Sequence, residues 1–151
     1  FGQLGTGSTT NATSPVAVTG LTGATAVAAG DYHSCAVLTD GTARCWGDNL
    51  LGGLGNGTST NSSSPVTVTG LTGATAIDAG YYHSCAVVTG GAVKCWGNNF
   101  YGQLGDGTTT SRSTPVQNDQ PSAAPFEVRV LVLSGSSATP ASASSAATMF
   151  E

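Results

Sequence analysis

The feature that most constrains this chain is that it repeats itself. Residues 1–50 align with residues 51–100 without a gap and agree at 32 of 50 positions. The phrases GQLGTG, GGLGNG and GQLGDG open at Gly2, Gly52 and Gly102, and the third copy keeps its likeness through Ser113, Thr114, Pro115 and Val116. A unit of this length cannot enclose an apolar core alone, so neighbouring copies must stack and bury one another's faces.

Each copy divides into short strands by alternation and punctuation. SPVAVTG (Ser14 to Gly20) reads as one strand, with Pro15 at its start, where a missing N–H is tolerated. ATAVAAG (Ala24 to Gly30) reads as a second, while HSCAVLT and TARCWG form a hairpin around Asp40-Gly41. The stretch WGDNLLGGLGNG is then a glycine-rich connection to the next copy. Four strands per copy, in tandem, predict an all-β fold of four-stranded propeller blades, about 2.3 repeats of 50 residues. Composition agrees, because 22 glycines and only 8% charged residues suit many turns and closely packed sheets. Strands stacked between blades should lack a polar face, and Val27, Ala28 and Ala29, like Cys35 to Leu38, read that way.

The repeats occupy residues 1–116. Residues 117–151 form a Pro/Ser/Ala-rich tail with one candidate strand at 126–135, and Ser136 to Thr148 is low-complexity sequence expected to stay unfolded. Net charge is −4 and the basic residues, Arg44, Lys94, Arg112 and Arg129, are scattered. A nucleic-acid surface needs clustered positive charge, so that partner is not expected. No apolar run reaches the roughly 18 residues of a membrane span, so membrane insertion is not expected either.

Chemistry, if there is any, must involve Cys35, Cys45, Cys85 and Cys95 with His33 and His83. Zinc needs four ligands around one point, commonly from close Cys pairs, whereas this spacing puts each pair in its own blade. A three-residue hairpin loop at Thr39, Asp40 and Gly41 instead sets Cys35 against Cys45, and Thr89, Gly90 and Gly91 set Cys85 against Cys95. Opposed strand residues lie within disulfide range. Persistent disulfides imply an oxidising compartment, hence a secreted or cell-surface protein. Free, buried thiols are the remaining alternative. A Cys–His couple at His33 and Cys35 is exclusive with the disulfide, and a structural histidine bonded to a backbone carbonyl is the plainer expectation. GQLGTG lacks the Gly-Lys-Ser/Thr ending of a phosphate loop and reads as a tight turn. Asn11-Ala12-Thr13, Asn56-Gly57-Thr58 and Asn61-Ser62-Ser63 match glycosylation acceptors. No catalytic, cofactor or metal residue is assigned.

The joint occurrence of A-G-x-x-H-S-C-A, C-W-G-x-N and G-Q-L-G-x-G at this period resembles the regulator of chromosome condensation repeat, particularly its bacterial members with paired cysteines. The resemblance implies a seven-bladed propeller used as a binding platform. Members include an exchange factor for a small nuclear GTPase, a plant ultraviolet-light receptor and a secreted bacterial β-lactamase inhibitor. In such propellers the residue pair between A-G and His lies on one rim, which here means Asp31 and Tyr32, then Tyr81 and Tyr82. The light receptor has tryptophans there and the exchange factor carries a basic arm; this chain has neither. Trp46 and Trp96 fall in the C-W-G phrase and read as packing residues.

Aromatic and amide side chains on loops held by a rigid scaffold are what recognition surfaces use. The partner-binding candidates are therefore Asp31, Tyr32, Tyr81 and Tyr82, with Asn49, Leu50, Leu51, Asn99, Phe100 and Tyr101 in the connection after C-W-G. The expected function is a non-catalytic protein-binding scaffold. Alternatives are an enzyme-inhibitor or enzyme-associated domain whose active surface lies in other blades, and a structural adhesin or stalk module. Two and a third units do not close a ring, so the sequence reads as part of a larger propeller, or as a chain whose copies assemble into one.

Overall fold

The structure is a computed structural model that describes residues 1–118. The candidate strand at 126–135 and the low-complexity tail lie outside the described residues. Eight strands form in order: β1 (Ala24–Ala29), β2 (His33–Leu38), β3 (Ala43–Gly47), β4 (Ser62–Thr67), β5 (Ala74–Ala79), β6 (His83–Val88), β7 (Val93–Gly97) and β8 (Arg112–Gln117). They make two four-stranded antiparallel sheets, ordered β1-β2-β3-β4 and β5-β6-β7-β8. Each is one propeller blade.

The blade is out of step with the sequence repeat. Its first three strands come from one copy and its fourth from the beginning of the next. The fourth strand is therefore Ser62–Thr67 or Arg112–Gln117, while the matching residues 12–17 of the first copy, which include the start of SPVAVTG, are not a strand. The reading of SPVAVTG as a strand fails in that copy for a physical reason. β4 and β8 exist because β3 and β7 offer them a ladder, and no described strand offers one to Ser14–Val18.

Turn chemistry sets the register. In the β2–β3 hairpin Gly41 adopts φ of 73°, its N–H donates to the Leu38 carbonyl at 2.9 Å, and Leu38 N–H donates to the Thr42 carbonyl at 2.9 Å. The Asp40 carboxylate accepts from the Thr42 N–H and hydroxyl at 2.9 and 2.7 Å, and those bonds lower its pKa. Cys35 then pairs with Cys45 and Cys85 with Cys95, and both pairs are disulfides with Cα atoms 4.1 Å apart. The cysteine stretch is a staple within each blade.

Burial follows blade stacking. Val37, on the face of the first blade that meets β5, is 1% exposed, whereas its repeat-mate Val87 is 36% exposed. On the opposite side Val27 is 73% exposed, while its mate Ile77 packs into the core with Leu54, Val68 and Trp96. The expectation that Val27, Ala28 and Ala29 are covered on both faces thus does not hold for β1, whose outer face has no described blade against it. It holds for Cys35, Ala36 and Val37. Equivalent positions of the repeat thus differ in burial because the neighbouring blade makes the core.

Candidate recognition rim

Antiparallel order puts the β1–β2 turn and the β3–β4 connection at one end of a blade, and the β2–β3 hairpin at the other. Backbone bonds tie the first two together, since Asp48 N–H donates to the Tyr32 carbonyl and Asn98 N–H to the Tyr82 carbonyl, both at 2.9 Å. All the partner-binding candidates inferred from the sequence therefore belong to this rim or to the connection beneath it.

The tyrosines of the two blades meet. Tyr32 stacks on Tyr82 with centroids 5.0 Å apart and planes within 10°, and Tyr81 stands edge-on to both, at 5.0 and 4.6 Å. Phe1 stands edge-on to Tyr32 at 5.5 Å. The Tyr32 and Tyr81 hydroxyls lie 3.1 Å apart. Tyr81 is 53% exposed, Asp31 is exposed, and Tyr32 and Tyr82 are half-buried. Hydrogen bonding to Tyr81 and the nearby Asp31 carboxylate raise the Tyr32 pKa. Desolvation, with negative charge at Tyr32 and Asp48, raises that of Tyr82. Tyr32 and Tyr82 therefore stay neutral near pH 7, and the cluster presents hydroxyls and π-faces.

Beneath the rim the two asparagines behave differently from their reading as contact residues. Asn49 is fully buried. Its Nδ2 donates to Asn56 Oδ1, the Thr58 carbonyl and hydroxyl, and the Thr60 carbonyl at 3.0–3.2 Å. Its Oδ1 accepts from Leu54 N–H at 2.9 Å, and its own N–H donates to Asn61 Oδ1 at 2.7 Å. Asn99 repeats this with Asp106, Thr108, Thr110, Leu104 and Ser111. Both organise the loop from within, where no partner can reach them. The sequence carried a signal for this, since Asn49 and Asn99 are identical across the repeat while their neighbours Leu50 and Phe100 differ. Those neighbours do face outward. Leu50, Leu51 and Phe100 line an open groove of about 410 Å³ with Thr109, Thr110 and Ser111, and Tyr101 is 90% exposed.

His33 is structural, but its partner is not the backbone carbonyl expected from sequence. Its Nε2 lies 2.7 Å from the Ser84 hydroxyl of the next blade. That hydroxyl donates to the Gly53 carbonyl at 3.0 Å, so it must accept from Nε2–H, which fixes the tautomer. Trp96 Nε1–H donates to the same carbonyl at 2.8 Å, and Ser34 and Trp46 treat the Gln3 carbonyl likewise at 3.0 and 2.7 Å. Each tryptophan thus both packs and anchors a glycine-rich loop. Burial, the nearby His83 and a weaker opposing pull from Asp48 leave the His33 pKa at about 4. With Cys35 and Cys45 consumed by their disulfide, His33 has no thiol to activate.

This architecture matches known proteins. A family model described as the regulator of chromosome condensation (RCC1) repeat matches residues 1–37, 40–87 and 91–139. A second model of the same repeat matches 24–52 and 74–103. The chain belongs to the RCC1-repeat family. Among solved structures, human WBSCR16 is 27% identical with a TM-score of 0.55, covering 60% of this chain and 24% of that one. Prp20p from Saccharomyces cerevisiae is 20% identical with a TM-score of 0.57, covering 64% and 26%, in a study of its binding properties to Gsp1p and histones. Yeast RCC1 (Prp20) bound to Kap60 is 21% identical with a TM-score of 0.54, covering 67% and 24%. The two yeast structures speak for the fold alone, and this chain spans about a quarter of each neighbour's length. No curated protein matches the sequence.

Proposed function

We propose that the chain is a non-catalytic protein-binding scaffold whose contact surface is the rim bearing Asp31, Tyr32, Tyr81 and Tyr82, extended by Leu50, Leu51, Phe100 and Tyr101. The observation that carries this reading is the tyrosine cluster, assembled from two blades and left open to solvent. Clustered tyrosines give large, rigid contact area at low entropic cost, which is the composition of binding hot spots. The family supports the class, since a neighbour with the same fold is described by its binding to Gsp1p and histones. The two disulfides support residence in an oxidising compartment, secreted or at the cell surface.

Photo-crosslinking tests the reading. A benzophenone side chain replaces Tyr81 in one variant and Thr89, in the opposite hairpin, in another. A discrete adduct from position 81 that unmodified protein competes away is expected, with none from position 89. Adducts from position 89 alone would move the binding surface to the other rim, and none from either position would fit a stalk.

A further inference from the structure

The chemistry at this rim narrows the kind of partner it fits. Asp31 is exposed and directly precedes Tyr32 in the chain, and the buried Asp48 donates its backbone N–H to the Tyr32 carbonyl at 2.9 Å. Asp78, also exposed, lies on β5 two positions before the Gly80 turn. Cations are placed elsewhere. Arg44 and Lys94 stand second in β3 and β7, beside the opposite hairpins and about 10 Å down the strand from the rim. Arg112 is held by Asp106, with Nε 3.0 Å from Oδ2. Among the described residues, the tyrosines thus have acidic neighbours and no unpaired side-chain cation beside them.

Ring faces carry partial negative charge and attract a cation laid over them, and the exposed Asp31 carboxylate beside the cluster adds to the pull. Phe1 packs edge-on against Tyr32, and Tyr81 is open to solvent. We propose that the rim receives a basic side chain, arginine or lysine, from a protein partner, seated against Tyr81 and Tyr82 with the exposed Asp31 supplying the counter-charge. The proposal rests on the reading of the rim as a protein-binding surface and adds the partner's chemistry.

The probe is an acetylated, amidated Gly-Arg-Gly-Arg-Gly-Arg-Gly peptide, titrated into the disulfide-bonded chain while tyrosine ring and backbone amide resonances are followed by NMR. The control peptide carries citrulline at each arginine, which keeps the shape but exchanges the charged guanidinium for a neutral urea with a carbonyl in place of one NH2 group. Shifts confined to Tyr32, Tyr81, Tyr82 and Asp31 are expected. The affinity should be about tenfold weaker for citrulline and for Tyr81→Ala, and several-fold weaker for Asp31→Asn or added salt. Tyr81→Phe should retain binding, since it keeps the ring.

Equal response to both peptides, shifts spread over the surface, or no rim shift at millimolar peptide would overturn the proposal. Rim shifts that grow with protein concentration before any peptide is added would also overturn it, by making a second copy of the chain the occupant. A position-81 crosslink to a partner combined with a silent arginine titration would discard the basic side chain and keep the binding rim. Loss of the crosslink itself would discard the rim.

Discussion

Asn49 and Asn99 each replace a small hydrophobic core with one amide. A connection of about a dozen residues with no regular structure must satisfy its backbone polar groups, and here one side chain serves carbonyls, a hydroxyl and an N–H together. Asn49→Ala removes these bonds and leaves the buried Leu54 N–H unpaired, so a loss of about 1–3 kcal/mol is expected from urea unfolding. His33 gives a second expectation, with a defined sign. In the unfolded chain it takes a proton below about pH 6.5, whereas in the folded chain it stays neutral down to about pH 4. Stability is therefore full above pH 6.5 and falls as pH drops toward 4, by about 3 kcal/mol. His33→Gln should flatten that limb. Asp106 contributes a separate one. Bonds from the Thr108 hydroxyl and Arg112 hold its pKa at about 2 against a partial desolvation cost, so its contribution persists above pH 3.8 and disappears toward pH 2. Unfolding midpoints followed against pH for His33→Gln and Asp106→Asn separate the two.

At the scale of elements, the hairpin is where sequence and structure agree most closely. Loop length and a glycine at the left-handed position set the register, so the Cys35–Cys45 and Cys85–Cys95 pairings were legible before any coordinates. Each staple closes a loop of ten residues, and reduction is expected to cost about 2–3 kcal/mol apiece, seen as a lower melting temperature in reductant. The fourth strand was less legible. SPVAVTG and SPVTVTG share one local pattern, yet only the second contributes to a strand, because a third strand precedes it in space. Asn49 was misread for a related reason. A polar residue in a loop looks exposed from sequence, and only its partners, spread over the following dozen residues, reveal it as the loop's centre. The His33–Ser84 bond joins residues of different blades, a contact no single-repeat pattern encodes.

At the scale of the two described blades, stacking makes the core and leaves the tyrosine rim open to solvent. Leu54, Val68 and Trp96 are buried where the two blades and their connections meet, while the tyrosines stand clear of that core. Function and folding should therefore separate by mutation: substitutions between blades cost stability, and substitutions on the rim cost binding. The most direct measurement compares Tyr81→Ala/Tyr82→Ala with the unaltered chain in two readouts, thermal unfolding and capture of the partner identified by crosslinking. The expected result is a melting temperature lowered by only a few degrees, since Tyr82 is half-buried, together with loss of capture by at least tenfold. Full capture by a folded double variant would contradict the assignment of recognition to this rim.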